Sequence, residues 1–153
     1  MPPRKVLLNT ILVAGSSLRG QIENGLRALT KVDRSLIAIA ARSDVGDSLN
    51  LDAAMRDDFP QANRWDYLLS VPGIKQIVGL EPHSARDSEI SVVIAKKQQA
   101  IEYLRVHFPP NHRVAKWLWV SRGHTSFSKM EPARRRLDQA GIAYEGQMIN
   151  SFS

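Results

Sequence analysis

Apolar positions along this chain change their period at Pro60. Before it they recur at three and four, as they do along one face of a helix. Leu18, Ile22, Leu26 and Leu29 form one such set, with Ser16 or Ser17 placed to cap it. Asp33 is placed to cap a second helix through Leu36, Ile37 and Ala40, although residues 36–41 also read as a short buried strand. A loop holding Gly46 and Ser48 then leads to a helix with Leu51, Ala54 and Met55 on one side. That helix must stop by Phe59, because a proline disfavours helical backbone in the residue before it.

After Pro60 the runs are short and strand-like. Residues 65–71 (WDYLLSV) and 75–83 (KQIVGLEPH) flank a Pro72-Gly73 turn and predict a β-hairpin, with Pro82 near a strand end where a missing N–H is tolerated. Ser88 offers a cap for a long helix over 89–108, whose stripe is Ile90, Val93, Ile94, Ile101, Leu104 and Phe108. Pro109 and Pro110 end it. Residues 115–121 predict a further strand, Ser128 begins a last helix through Leu137 that ends at Gly141, and residues 142–149 add a final strand.

The order of elements predicts a mixed α/β domain, with helices packed on a central sheet. A length of 153 residues suits one domain. Within it, residues 1–45 read as a helical N-terminal part, 51–121 as the core, and 122–153 as a C-terminal helix and strand.

Composition narrows the function classes. Lys and Arg number 21 against 15 Asp and Glu, a formal charge of +6 that should attract polyanions such as nucleic acid. The absence of cysteine excludes disulfides, thiolate zinc sites and a cysteine nucleophile. Residues 6–15 are apolar after Arg4 and Lys5, but Asn9 and Thr10 interrupt them and no small-residue cleavage site follows, so no secretory signal is expected. No run reaches the roughly 20 apolar residues of a membrane span. The expected location is cytoplasmic.

The candidate chemistry lies in the core. Glu81 and His83 share one face of their strand, while Asp66 begins the preceding strand and can lie beside Glu81 across the hairpin. Two adjacent carboxylates repel unless a cation or proton neutralises them, and hard oxygen donors suit a divalent metal. On the helix, Lys97 falls on the apolar stripe and must snorkel or meet a carboxylate or phosphate; chain reversal brings it level with Glu81. Lys96, roughly 100° round, lies at the edge of the stripe.

Asp66, Glu81 and this element order resemble the PD-(D/E)XK nuclease superfamily, the restriction-endonuclease-like fold, over about residues 51–121. The resemblance implies that Asp66 and Glu81 bind Mg²⁺ (or Mn²⁺) and position an attacking water. Arg64 and Trp65 stand before Asp66 where the motif has a variable proline, and His83 stands where it has lysine. Either His83 takes the lysine's place, or the lysine has moved to Lys97, a migration the superfamily shows.

Arg122 and His124, beside Gly123 in the segment SRGHTSF, are candidate phosphate contacts together with Lys96. Arg134, Arg135 and Arg136 point in three directions on a helix, so at most two share a surface. Trp117 and Trp119 lie on one side of their strand and read as a core layer under a helix before they read as a base-stacking platform. Glu23 could add a metal ligand but reads first as a solvated helix residue. His107 and His112 lack metal-ligand spacing. No phosphate-binding glycine loop, nucleophile elbow or zinc helix occurs.

The expected function is metal-dependent phosphodiester hydrolysis, with DNA ahead of RNA as substrate. Asp66, Glu81, His83 and Lys97 form the expected catalytic set. The rival reading is a nucleic-acid-binding or protein-interaction module that keeps the fold without cleaving. Homodimerisation stays open.

Overall fold

The computed structural model describes residues 6–127 and 130–153. Its elements in order are α1 (Leu8–Ile11), a 3₁₀ turn (Ser17–Gln21), β1 (Glu23–Asn24), α2 (Lys31–Arg34), α3 (Ile39–Arg42), β2 (Asp47–Asn50), α4 (Leu51–Arg56), β3 (Tyr67–Val71), β4 (Gln76–Arg86), α5 (Ile90–Leu104), β5 (Lys116–Ser126), α6 (Met130–Gln139) and β6 (Ile142–Tyr144). The strands form one six-stranded sheet in chain order. From β1 to β4 neighbours are antiparallel, whereas β4, β5 and β6 run parallel, with α5 and α6 in the crossovers. The chain is thus a mixed α/β protein, as its periodicity predicts. Among the described residues no helix is long and apolar enough to cross a membrane.

Strand alternation sorts side chains into two cores. Leu68, Ile77, Trp117 and Trp119 pack with Val93 and Leu104 of α5 and Leu137 of α6 on one face. Tyr67, Leu69, Val78, Leu80, Leu118 and Val120 pack with Ile37, Ile149 and Phe152 on the other. Both strand tryptophans are buried, so they are core residues and not a stacking platform.

The N-terminal third departs from expectation. No helix runs from Leu18 to Leu29; a 3₁₀ turn gives way to strand β1. Gly20 and Gly25 weaken a helix there, and Gly25 takes a positive φ of 52°. The Arg19 guanidinium also donates to the carbonyls of Asn9, Leu12 and Val13, tying the turn to the preceding segment. Thr30, not Asp33, caps α2. Residues 36–41 are neither long helix nor strand: Ile37 makes an isolated parallel bridge with Ile149, and α3 follows.

Of the loop predicted around Gly46 and Ser48, Gly46 lies outside any element, but Ser48 belongs to strand β2, paired to β3. Its polar residues conceal it, because they satisfy backbone groups from within the fold. Asp47 accepts from the amides of Leu8 (2.9 Å) and Asn9 (3.1 Å) and from Ser70 Oγ (2.5 Å), and Ser48 Oγ accepts from the Ala28 amide. At the C-terminal end, β6 stops at Tyr144. The cap expected at Ser128 lies outside the described residues.

Candidate active site

The hairpin of β3 and β4 builds the centre of the site. Tyr67 pairs with Leu80, so the next step outward places Asp66 beside Glu81. The Asp66 amide donates to Glu81 Oε1 at 2.9 Å, and the Asp66 carbonyl accepts from the Leu51 amide at 2.9 Å at the start of α4. Gly79 lets the strand pass beneath a tryptophan pair: a Cβ there would meet Trp117 at 2.7 Å and Trp65 Nε1 at 3.0 Å. Those two indoles stand edge to face at 4.9 Å and fix the backbone next to Asp66.

Glu81 is 0% exposed. Lys96 reaches it from α5, with Nζ 2.5 Å from Glu81 Oε2 and 3.9 Å from Asp66 Oδ1. His83 lies along the same face, its Nδ1 3.4 Å from Glu81 Oε2 and its Nε2 2.9 Å from Glu89 Oε2. The Trp119 indole N–H donates to the His83 carbonyl at 3.1 Å, anchoring the strand beyond the carboxylate.

Electrostatically the cluster is poised between charge states. Burial, and then the negative charge of Glu81, push the Asp66 carboxyl up to about 7, against the opposing pull of Lys96. The hydrogen bond to Glu81 raises His83 above its ordinary value; burial opposes this and Glu89 adds to it.

The expected lysine is corrected by one position. Lys97 does not face Glu81. Its ammonium donates to the Ala140 carbonyl and lies 5.9 Å from the Trp117 ring centroid, towards β5 and α6. One residue of helix turns the side chain by roughly 100°, and the strand hairpin lies under the edge of the stripe where Lys96 stands, not under its centre. Lys96, expected at the surface to contact nucleic acid, is instead the cation between the carboxylates.

The other candidates lie apart. Arg122 occupies the opposite sheet face, where its Nη2 meets Asp33 Oδ1 at 2.5 Å, and Tyr67 donates its hydroxyl to Asp33 Oδ2 at 2.5 Å. The His124 side chain lies outside what is described. Glu23 is exposed on β1, separated from β4 by two strands, and does not approach Asp66. The sequence marked Asp33 only as a helix cap and did not mark Glu89. Neither position carries a signal of its partner, His83 for Glu89 and the distant Arg122 for Asp33.

A divalent cation fits this donor set. Asp66 and Glu81 offer hard carboxylate oxygens, and Mg²⁺ is commonly held by one or two carboxylates plus water and substrate phosphate. Among the described residues no group of three or more His, Cys, Asp or Glu side chains could hold a metal ion, so Asp66 and Glu81 are the two residues that would hold one. The half-buried Asp66 carboxyl, raised to about 7, is a group whose charged form a cation would favour. None of the family models, curated proteins or solved structures compared with this chain matches it.

Proposed function

We propose that this chain is a metal-dependent nuclease on a restriction-endonuclease-like fold, hydrolysing phosphodiester bonds in DNA ahead of RNA. The observation that carries this reading is the convergence of Asp66, Glu81 and Lys96: carboxylates on adjacent antiparallel strands and an ammonium from the next helix. The lysine that PD-(D/E)XK enzymes carry two residues after the glutamate is here His83, and Lys96 reaches the same pair from one element later. The run from α4 through β3, β4 and α5 to the parallel strand β5 adds support from connectivity.

Held by Asp66 and Glu81, Mg²⁺ or Mn²⁺ would lower the pKa of a bound water and offset phosphate charge. Around it, this chain's residues have distinct tasks. The Asp66 amide fixes Glu81 Oε1, so one carboxylate oxygen keeps its direction. Lys96 bonds Glu81, and beside a scissile phosphate its charge would offset the negative charge that develops on the oxygens. His83, clamped between Glu81 and Glu89, keeps the strand's polar edge oriented towards the site. One feature favours the non-cleaving alternative: Lys96 already neutralises Glu81, as a purely structural ion pair would.

The deciding experiment measures cleavage of supercoiled plasmid, linear duplex, single-stranded DNA and structured RNA with Mg²⁺ or Mn²⁺. Cleavage abolished by EDTA and reduced at least about a hundredfold by Asp66→Asn, Glu81→Gln and Lys96→Met is expected. Nucleic-acid binding without cleavage under every metal condition would establish the module instead.

A further inference from the structure

Lys97 remains unexplained by the carboxylate site, and it lines a cavity of its own. The cavity, about 670 Å³, lies between the C-terminal half of α5, the connection to β5 and the turn before β6. That volume is typical of small-ligand sites, which span roughly 300 to 1,000 Å³. Its walls carry Lys97, Arg105, His112 and Arg113 and no acidic side chain. Arg105 pairs with Glu102 at 3.1 Å on the exposed surface. Neither Lys97 nor Arg113 has a carboxylate partner among the described residues.

The Lys97 contact satisfies the Ala140 carbonyl just past the end of α6, a sufficient structural reason for a cation at that point. It does not account for Arg113, which lines the same cavity, nor for the cavity itself. An ammonium has three donors, and the carbonyl takes one. Burial pushes the Lys97 ammonium down, a cost that an anion beside it would reverse. The remaining lining is apolar and rich in rings, with Phe108, Pro109, Pro110 and Trp117 joined by Leu104 and Val114.

We infer that this cavity is a second ligand site, one that takes a phosphate monoester joined to a flat apolar body: a nucleoside monophosphate. The phosphate lies against Lys97 and Arg113, the two cations of the lining without a carboxylate partner among the described residues, since two cations favour a dianion over a single carboxylate. The base lies against Pro109 and Pro110, the part of the ring-bearing lining that is not buried. Nothing in this site uses Asp66 or Glu81, because α5 directs Lys96 and Lys97 to different sides, and no divalent cation is required.

The test titrates the full chain in EDTA with dAMP, deoxyadenosine and inorganic phosphate, followed by calorimetry and by tryptophan fluorescence. Saturable dAMP binding is expected, weakened roughly tenfold or more in deoxyadenosine, in inorganic phosphate, in Lys97→Met and in Arg113→Gln. Arg113 is exposed, so its variant keeps the fold even if Lys97→Met disturbs the end of α6. No saturation by about 10 mM dAMP, or unchanged affinity in Arg113→Gln, would overturn the assignment. Inorganic phosphate binding as tightly as dAMP would overturn the nucleoside half of it. EDTA removes the proposed nuclease metal, so failure here and failure of the nuclease reading are separate results.

Discussion

Two consecutive lysines on α5 have unlike surroundings, and the difference is measurable. Lys96 neutralises a glutamate that is 0% exposed, so Lys96→Met strands a buried charge. In metal-free buffer that substitution should cost about 3 kcal/mol in urea unfolding. If the carboxylates hold a cation, Mg²⁺ should restore part of the lost stability in Lys96→Met and none in Asp66→Asn, a contrast read by thermal melts. His107 reports on pH. It is buried with Nδ1 2.7 Å from Ser16 Oγ, and burial lowers its pKa against the opposing charge of Asp58. Below its ordinary value of about 6.5 the unfolded chain binds the proton more readily than the folded one, so stability falls as pH drops through that range. His107→Gln should flatten the fall between about pH 7 and pH 5, measured as the difference between the two urea midpoints.

Among the elements, the hairpin and α5 were legible from local signals, two apolar runs around Pro72-Gly73 in one and apolar spacing at three and four in the other, although the buried face of α5 takes Ala100 and Tyr103 and leaves Ile101 exposed. The short N-terminal elements were not. Leu18, Ile22, Leu26 and Leu29 keep helical spacing, yet Gly25 at positive φ and the Arg19 contacts hold the chain in a turn and a strand. Strand β2 hid behind Asp47 and Ser48, whose side chains accept hydrogen bonds from residues distant in sequence. Gly79 read only as part of an apolar strand, and its role emerged from the indoles above it. Gly79→Ala should destabilise by about 2 kcal/mol through overpacking against Trp117 and Trp65, and near-ultraviolet circular dichroism should show the indoles displaced.

Over the whole molecule, the sheet separates two polar clusters that sequence reasoning had joined. Asp66, Glu81 and Lys96 lie on the α5 face, whereas Arg122 holds Asp33 and Tyr67 on the other. Under the proposed nuclease reading, contacts to a nucleic-acid backbone near the carboxylates would come chiefly from basic residues on the first face and along the rim. A formal charge of +6 makes such binding sensitive to salt. Duplex affinity of the Asp66→Asn variant should fall steeply between about 50 and 200 mM salt, with a log–log slope that counts the phosphates engaged. A flat dependence would remove the electrostatic basis for nucleic acid as partner.

The sequence by itself determined the α/β class, the hairpin that brings Asp66 to Glu81, the long helix after it and the burial of both strand tryptophans. These rest on local periodicity and on pairing across a short turn, so nearby residues suffice to specify them. Tertiary structure decided which lysine faces the carboxylates, that Arg122 serves Asp33, and that Lys97 lines a cationic cavity. Such outcomes depend on the rotation of α5 over the sheet and on partners far away in the chain. A rotation of one residue, roughly 100°, exchanges Lys96 for Lys97, and only the packing of the helix on β3, β4 and β5 sets it.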